Sequence, residues 1–230
     1  MKIQVAKPKQ QTRIFGLICG RAGTGKTYQL TTLPKSKSLL ISMEKGHLTI
    51  VGSGYAYCEP SSYAELMAFL RSFEQKYGDK VKYLYIDSLT ELYDLIKSEA
   101  KEKFTVQQNF AKHDYIQEQM MVLLRLCRNM DVSVFFTCHT KMVQDGMGQA
   151  EDLAFDGKLP AMVMKQFDFS FHLMDEEDEG KLNRYIVTSP ALSRCAKARV
   201  SEFMNVKLEN KEKSNLYLLT QKLLGGTNEN

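Results

Sequence analysis

Eight residues near the start of the chain, Gly20-Arg21-Ala22-Gly23-Thr24-Gly25-Lys26-Thr27, follow the pattern G-x-x-x-x-G-K-[ST]. Each residue type at that spacing has a chemical task. The glycines let successive backbone N–H groups point inward around an anion, at the positive end of the helix expected to follow. Lysine supplies a point charge to the β- and γ-phosphates of a nucleotide, and a threonine hydroxyl is a Mg²⁺ ligand. Those tasks fall on Lys26 and Thr27. The pattern sits between residues 13–19 (RIFGLIC), which read as a buried strand, and a segment that Pro34 keeps short. A strand, this loop and then a helix is the setting in which the pattern holds a triphosphate.

Three more polar side chains close predicted strands. Asp87 follows the run 81–86 (VKYLYI), where a carboxylate can hold the water shell of Mg²⁺ or, alternatively, cap the helix beginning near Ser88. Glu44 follows 38–43 (SLLISM) and can orient and deprotonate water opposite a leaving diphosphate; its plainer reading is a solvated loop charge. His139 follows 132–138 (VSVFFTC), a place from which a polar side chain can sense the γ-phosphate, although a lone histidine is commonly structural. Further on, Arg194, Lys197 and Arg199 (SRCAKAR) form a basic cluster. Its cations can reach a triphosphate in the same subunit or across an interface, or else form a solvated face or a DNA-phosphate contact.

The elements that must position these residues alternate. A capping-box pattern, Ser62-Tyr63-Ala64-Glu65, opens a helix with Leu66, Phe69, Leu70, Phe73 and Tyr77 along one face. Residues 89–103 and 112–129 also read as helices. Strands alternating with helices at this spacing predict an α/β fold, with a mostly parallel central sheet flanked by helices. Residues 140–159 are polar and glycine-bearing and read as a long functional loop. Residues 168–174 and 184–188 resemble a hairpin around the acidic turn Asp175–Glu179, which reads as solvated. A last helix is expected from Ser214 to Leu224, stopped by Gly225-Gly226. The organisation is thus one domain over 12–200 and an extension over 201–230 with a short helix.

Bulk properties exclude several classes. The 230 residues carry a net charge of +4, which permits an anionic partner without demanding one. Five scattered cysteines without a CxxC argue against a disulfide framework or a zinc site. No run approaches the roughly 20 apolar residues needed to span a bilayer. The N-terminus is basic (Lys2, Lys7, Lys9) but has no apolar core behind it, unlike a secretory signal. A soluble intracellular protein is expected.

With these motifs in order, the chain resembles RecA-fold P-loop ATPases. More narrowly, it resembles small phage-encoded nucleotide-binding proteins, some of which are RecA-like single-strand annealing proteins. The resemblance rests on GRAGTGKT, on Glu44 in ISMEKG, Asp87 in YLYIDS, His139 in FFTCHT and the late AKAR. It implies ATP and Mg²⁺ as ligands, Glu44 as the water-activating residue and His139 as the reader of the γ-phosphate. It also implies that Lys197 and Arg199 reach a neighbouring subunit's nucleotide in a homo-oligomer. Residues 140–159 would touch single-stranded DNA, a single-strand-binding protein would be a partner, and the location would be the cytoplasm of a bacterial host. That segment carries Lys141 and Lys158 against Asp145, Glu151, Asp152 and Asp156, with Phe155 as its aromatic residue. Competing readings are a small-molecule kinase on the same loop, disfavoured by the missing arginine-rich lid, and a binding module switched by ATP without turnover. An AAA+ remodelling ATPase is disfavoured because one short domain leaves no helical lid.

Overall fold

Alternation along the strands builds two cores, one on each face of a sheet. Phe15, Leu17 and Cys19 point to one face with Leu84, Ile86, Val134 and Phe136, while Ile14, Ile18, Tyr85 and Phe135 point to the other. The computed structural model describes residues 12–44, 46–146, 148–200 and 206–225, with Gly46, His47 and Asp178 described by backbone alone. Lys2, Lys7, Lys9 and Gly226 lie outside the described residues.

The strands are β1 (Phe15–Gly20), β2 (Ser38–Ser42), β3 (Ala56–Cys58), β4 (Tyr83–Asp87), β5 (Ser133–Asp145), β6 (Gly148–Leu153), β7 (Phe169–Asp178), β8 (Lys181–Val187), β9 (Lys197–Ala198) and β10 (Lys211–Lys213). The helices are α1 (Tyr63–Tyr77), α2 (Leu89–Lys103), α3 (Asn109–Arg128), α4 (Leu159–Gln166) and α5 (Leu216–Leu223). The sheet runs β10-β8-β7-β1-β5-β4-β2-β3, with β6 paired to β5 and β9 to β7. From β7 to β3 every pairing is parallel, and β8 and β10 add antiparallel strands on the other side. This is the expected α/β architecture, a P-loop NTPase fold with a late hairpin.

Helices α1, α2 and α3 bury Leu66, Phe73, Leu92, Ile96, Met120 and Leu124 against the first face. Helix α5 covers the second with Leu216, Leu219 and Leu223, so part of the segment read as an extension packs into the same core as the sheet. Gly16 is needed on that face, because a Cβ there would lie 2.9 Å from the Phe135 ring. None of the described helices is long and apolar enough to cross a membrane.

Four details differ from the sequence reading. Residues 140–159 are not a loop: β5 continues to Asp145 and turns back as β6, giving an antiparallel hairpin from Thr140↔Leu153 to Asp145↔Gly148. Phe155 is buried, edge-on to Tyr93, and offers no stacking surface to a base. The acidic run is not a turn either. Asp175–Asp178 form the outer part of β7, and the chain reverses at Glu179 and Gly180, both with positive φ. After the phosphate loop comes a six-residue 3-10 segment, Thr27–Thr32, rather than an α-helix, so little axial dipole stands behind the loop.

Candidate active site

The carboxyl ends of β1, β2 and β4 lie level with the middle of β5, and their register brings the candidates together. Gly20 pairs with His139 and Ser42 with Asp87. Within the loop, Gly23 and Gly25 have φ of +82° and +89°, a region that favours glycine. The Thr24 hydroxyl donates to the Arg21 carbonyl at 2.9 Å. From β4, the buried Tyr85 hydroxyl donates to the carbonyl of Lys26 and pins the loop from below. Gln29 ties the following 3-10 segment to the start of α5, donating to Ser214 Oγ and accepting from the Leu216 N–H.

Lys26 is buried, and its three ammonium protons have three acceptors. They are the carbonyls of Gly20 (2.9 Å) and Arg21 (2.8 Å) and the Nδ1 of His139 (3.2 Å). A protonated lysine has no acceptor to offer, so the His139 Nδ1 must accept and its Nε2 carries the proton. That Nε2 lies 3.3 and 3.4 Å from the two carboxylate oxygens of Glu44. Lys26, His139 and Glu44 therefore form one connected line. Burial lowers the pKa of Lys26, opposed by the charges of Asp87 and Glu44.

Glu44 also accepts from the Ser88 hydroxyl. Burial pushes its pKa up, but the hydrogen bonds from His139 and Ser88, with the charge of Lys26, bring the balance below the ordinary glutamate value. It is a carboxylate at neutral pH and is not a loop charge in solvent. Asp87 is buried and accepts from Thr27 Oγ1 at 2.5 Å on one oxygen and from the Thr137 hydroxyl on the other. Burial raises its pKa despite both bonds. The cap of α2 is Ser88, whose side chain accepts from the Glu91 N–H, so Asp87 is not spent on capping. Among the described residues no cluster of three or more His, Cys, Asp or Glu could hold a metal. A buried carboxylate touching a threonine hydroxyl is instead a two-ligand arrangement, and such a donor set suits Mg²⁺, which keeps most of its waters.

A second polar cluster adjoins the loop. Arg21 Nε pairs with Glu151 of β6 at 2.6 Å, and Glu151 also accepts from Thr140 at 2.6 Å and lies 3.2 Å from His172 Nε2. Burial lowers the pKa of His172, with the cations of Arg21 and Lys26 adding to the effect against Glu151. The acids of the hairpin are thus mostly spoken for: Arg194 lies 3.4 Å from Asp145 and 3.5 Å from Asp152, and Asp156 pairs with Lys97 at 2.7 Å.

Lys197 and Arg199 are not brought to the loop. Strand β9 pairs with the beginning of β7, at Phe169 and Ser170, the end of the sheet opposite the phosphate loop. There Lys197 Nζ donates to the carbonyls of Met164 and Phe167, and Arg199 donates to Asp168 and to the Lys165 carbonyl. Within this chain they close the C-terminus of α4, so the same-subunit form of the cation role is corrected. Sequence reasoning missed another arginine. Arg184 of β8 places Nη1 3.6 Å from the position a Cβ on Gly25 would occupy. Its only sequence signal is one of two cations, with Lys181, in an otherwise strand-like run, which periodicity does not single out.

A family model described as "AAA domain" matches residues 12–200. No curated protein matched the chain. The chain belongs to the AAA domain family, a P-loop fold that binds nucleotide.

Proposed function

We propose that this member of the AAA domain family is a Mg²⁺-dependent ATPase of the RecA-like branch, coupled to recombination or annealing of single-stranded DNA. The observation that carries the ATPase reading is the line Lys26–His139–Glu44 beside the Thr27–Asp87 pair. A binder needs the loop and a metal ligand. A carboxylate held at the far side of the loop, ionised and hydrogen-bonded through a histidine to the loop lysine, is placed as a water-activating base would be, which supports turnover.

The residues divide the work. The N–H groups of residues 20–27 cradle the phosphates and the Lys26 ammonium turns from the Gly20 and Arg21 carbonyls toward phosphate oxygens. Thr27 Oγ1 and Asp87 would hold Mg²⁺, which would supply positive charge to the phosphates. Glu44 orients the attacking water and takes its proton. When Lys26 turns to phosphate, His139 Nδ1 loses its donor, which gives His139 a way to register the γ-phosphate and alter its hold on Glu44. The catalytic gain is positioning and preorganised charge.

Support for the RecA-like branch comes from the late β7–β8 hairpin extending a parallel sheet, together with the order of the motifs. The DNA coupling rests on the resemblance. The β5–β6 hairpin, which leaves the site directly from His139, is the element proposed to meet the strand, through Lys141 together with Lys158 at the start of α4, rather than through stacking. Lys197 and Arg199 would serve a neighbouring subunit's nucleotide only across an oligomer interface.

Glu44→Gln tests the ATPase claim: turnover should fall by at least about 10²-fold with nucleotide affinity retained. Unchanged turnover would leave an ATP switch or nothing. For the DNA claim, fluorescent single-stranded and duplex DNA are titrated with and without ATP at two salt concentrations. Equal affinity for both forms in every condition removes the annealing reading.

A further inference from the structure

We propose that Arg184 is a phosphate-binding residue of the nucleotide site, gripping the α- and β-phosphates from the side of the loop opposite Glu44. The proposal deepens the ATP-site reading and rests on it. Three observations support it.

Arg184 comes from β8, an antiparallel strand that carries no other residue of the site. Its guanidinium nevertheless reaches the loop, with Nη1 3.6 Å and Cζ 4.0 Å from the Cβ position of Gly25, the residue just before Lys26. Next, Arg184 is exposed, and no other described residue forms a hydrogen bond or ion pair with it. Arg21, by contrast, is held by Glu151, and Arg194 by Asp145 and Asp152. A guanidinium set against the phosphate loop, and not bonded to a carboxylate among the described residues, can turn to an anion held there. Arginine suits the task because its planar fork can give two parallel hydrogen bonds to one phosphate.

Lastly, the sheet order fixes which phosphates. β1 lies between β5, which carries His139, and β7, which leads to β8. Glu44, Asp87 and His139 all lie on the β5 side and mark the γ end. A triphosphate laid along the loop from there runs its α and β groups toward β7 and β8. Arg184 should therefore serve ADP and ATP equally, unlike Glu44 and His139, which distinguish them.

The test is binding of fluorescent ADP and ATP analogues, with competition by inorganic tripolyphosphate and by adenosine, in wild type, Arg184→Ala, Arg184→Lys and Lys26→Ala. Arg184→Ala is expected to weaken ADP, ATP and tripolyphosphate by the same factor, about tenfold to a hundredfold, and to leave adenosine unaffected. Arg184→Lys should recover part of each. If tripolyphosphate binding is untouched while both nucleotides weaken, Arg184 contacts the base or ribose and the proposal fails. It fails too if ATP weakens and ADP does not, or if nothing changes. Should Lys26→Ala bind ATP as tightly as wild type, the failure lies in the loop reading and not in Arg184. Thermal melting of the two Arg184 variants, expected to match wild type at this exposed position, guards against a folding artefact.

Discussion

Lys26 and Lys197 are held in nearly the same way and stand for different things. Each gives its ammonium to two backbone carbonyls, Gly20 and Arg21 at 2.9 and 2.8 Å for the first, Met164 and Phe167 at 3.0 and 2.7 Å for the second. Burial lowers the pKa of both. Their surroundings part them. Lys26 stands at the carboxyl end of the parallel strands with Asp87, Glu44 and His139. Lys197 stands at the opposite end with Arg199, Arg128 and Asp168, closing the last turn of α4 where carbonyls lack partners. A lysine bonded to carbonyls is thus a cap in one place and, on the proposed reading, a cation held for phosphate in the other. Its end of the sheet decides which.

The largest effect expected separates turnover from folding. Lys26→Ala should abolish measurable nucleotide binding and hydrolysis per folded molecule, beyond any stability lost with its bonds to the Gly20 and Arg21 carbonyls. Lys197→Ala should keep hydrolysis per folded molecule and lose about 1–3 kcal/mol of stability, the cost of leaving buried carbonyls without donors. If Lys197→Ala instead loses turnover and assembly at unchanged stability, the comparison breaks and the interface role returns.

The next effect sharpens it through pH. The folded pKa of Asp87 is raised, so its charge costs stability above that pKa and the cost disappears as pH falls through it. The folded pKa of Glu44 is lowered, so it contributes stability above about 4.5 that is lost as pH falls through the folded value. Acidification therefore relieves the cost at Asp87 and removes the contribution of Glu44, two opposite effects on stability. Asp87→Asn should melt higher than wild type at pH 7 and be inactive, a pairing no capping residue would give. The smallest effect belongs to Arg199→Ala, which removes a half-exposed ion pair with Asp168 and should shift stability by no more than about 1 kcal/mol with no change in turnover.

The site was legible in the sequence wherever a polar residue ended an apolar run. Glu44, Asp87 and His139 lie within two residues of strands read from VKYLYI-like runs, because a strand buried on both faces is continuous in its hydrophobicity. Ser62 does cap α1, accepting from the Glu65 N–H. Outside the core the signals weaken. Residues 140–153 pair as strands through their backbone while carrying mostly polar side chains, so composition suggested a loop. The Asp145-Gly146 pair, a known hairpin signal, was there to correct it. Lys197 and Arg184 show the other limit: charge type is visible in the sequence, but the carbonyl or loop it meets comes from a distant strand.

β5 carries a consequence of its own. Its thirteen residues span about 43 Å, buried from Ser133 to Cys138 and increasingly open beyond His139. One hydrogen-bonded ribbon thus joins two stability regimes. Amides of Val134–Cys138 should exchange with deuterium only through global unfolding, and those of Met142–Asp145 through local opening many times more frequent. The boundary falls at His139 and Thr140. A change at the site would register as a shift in where, along a single strand, protection ends.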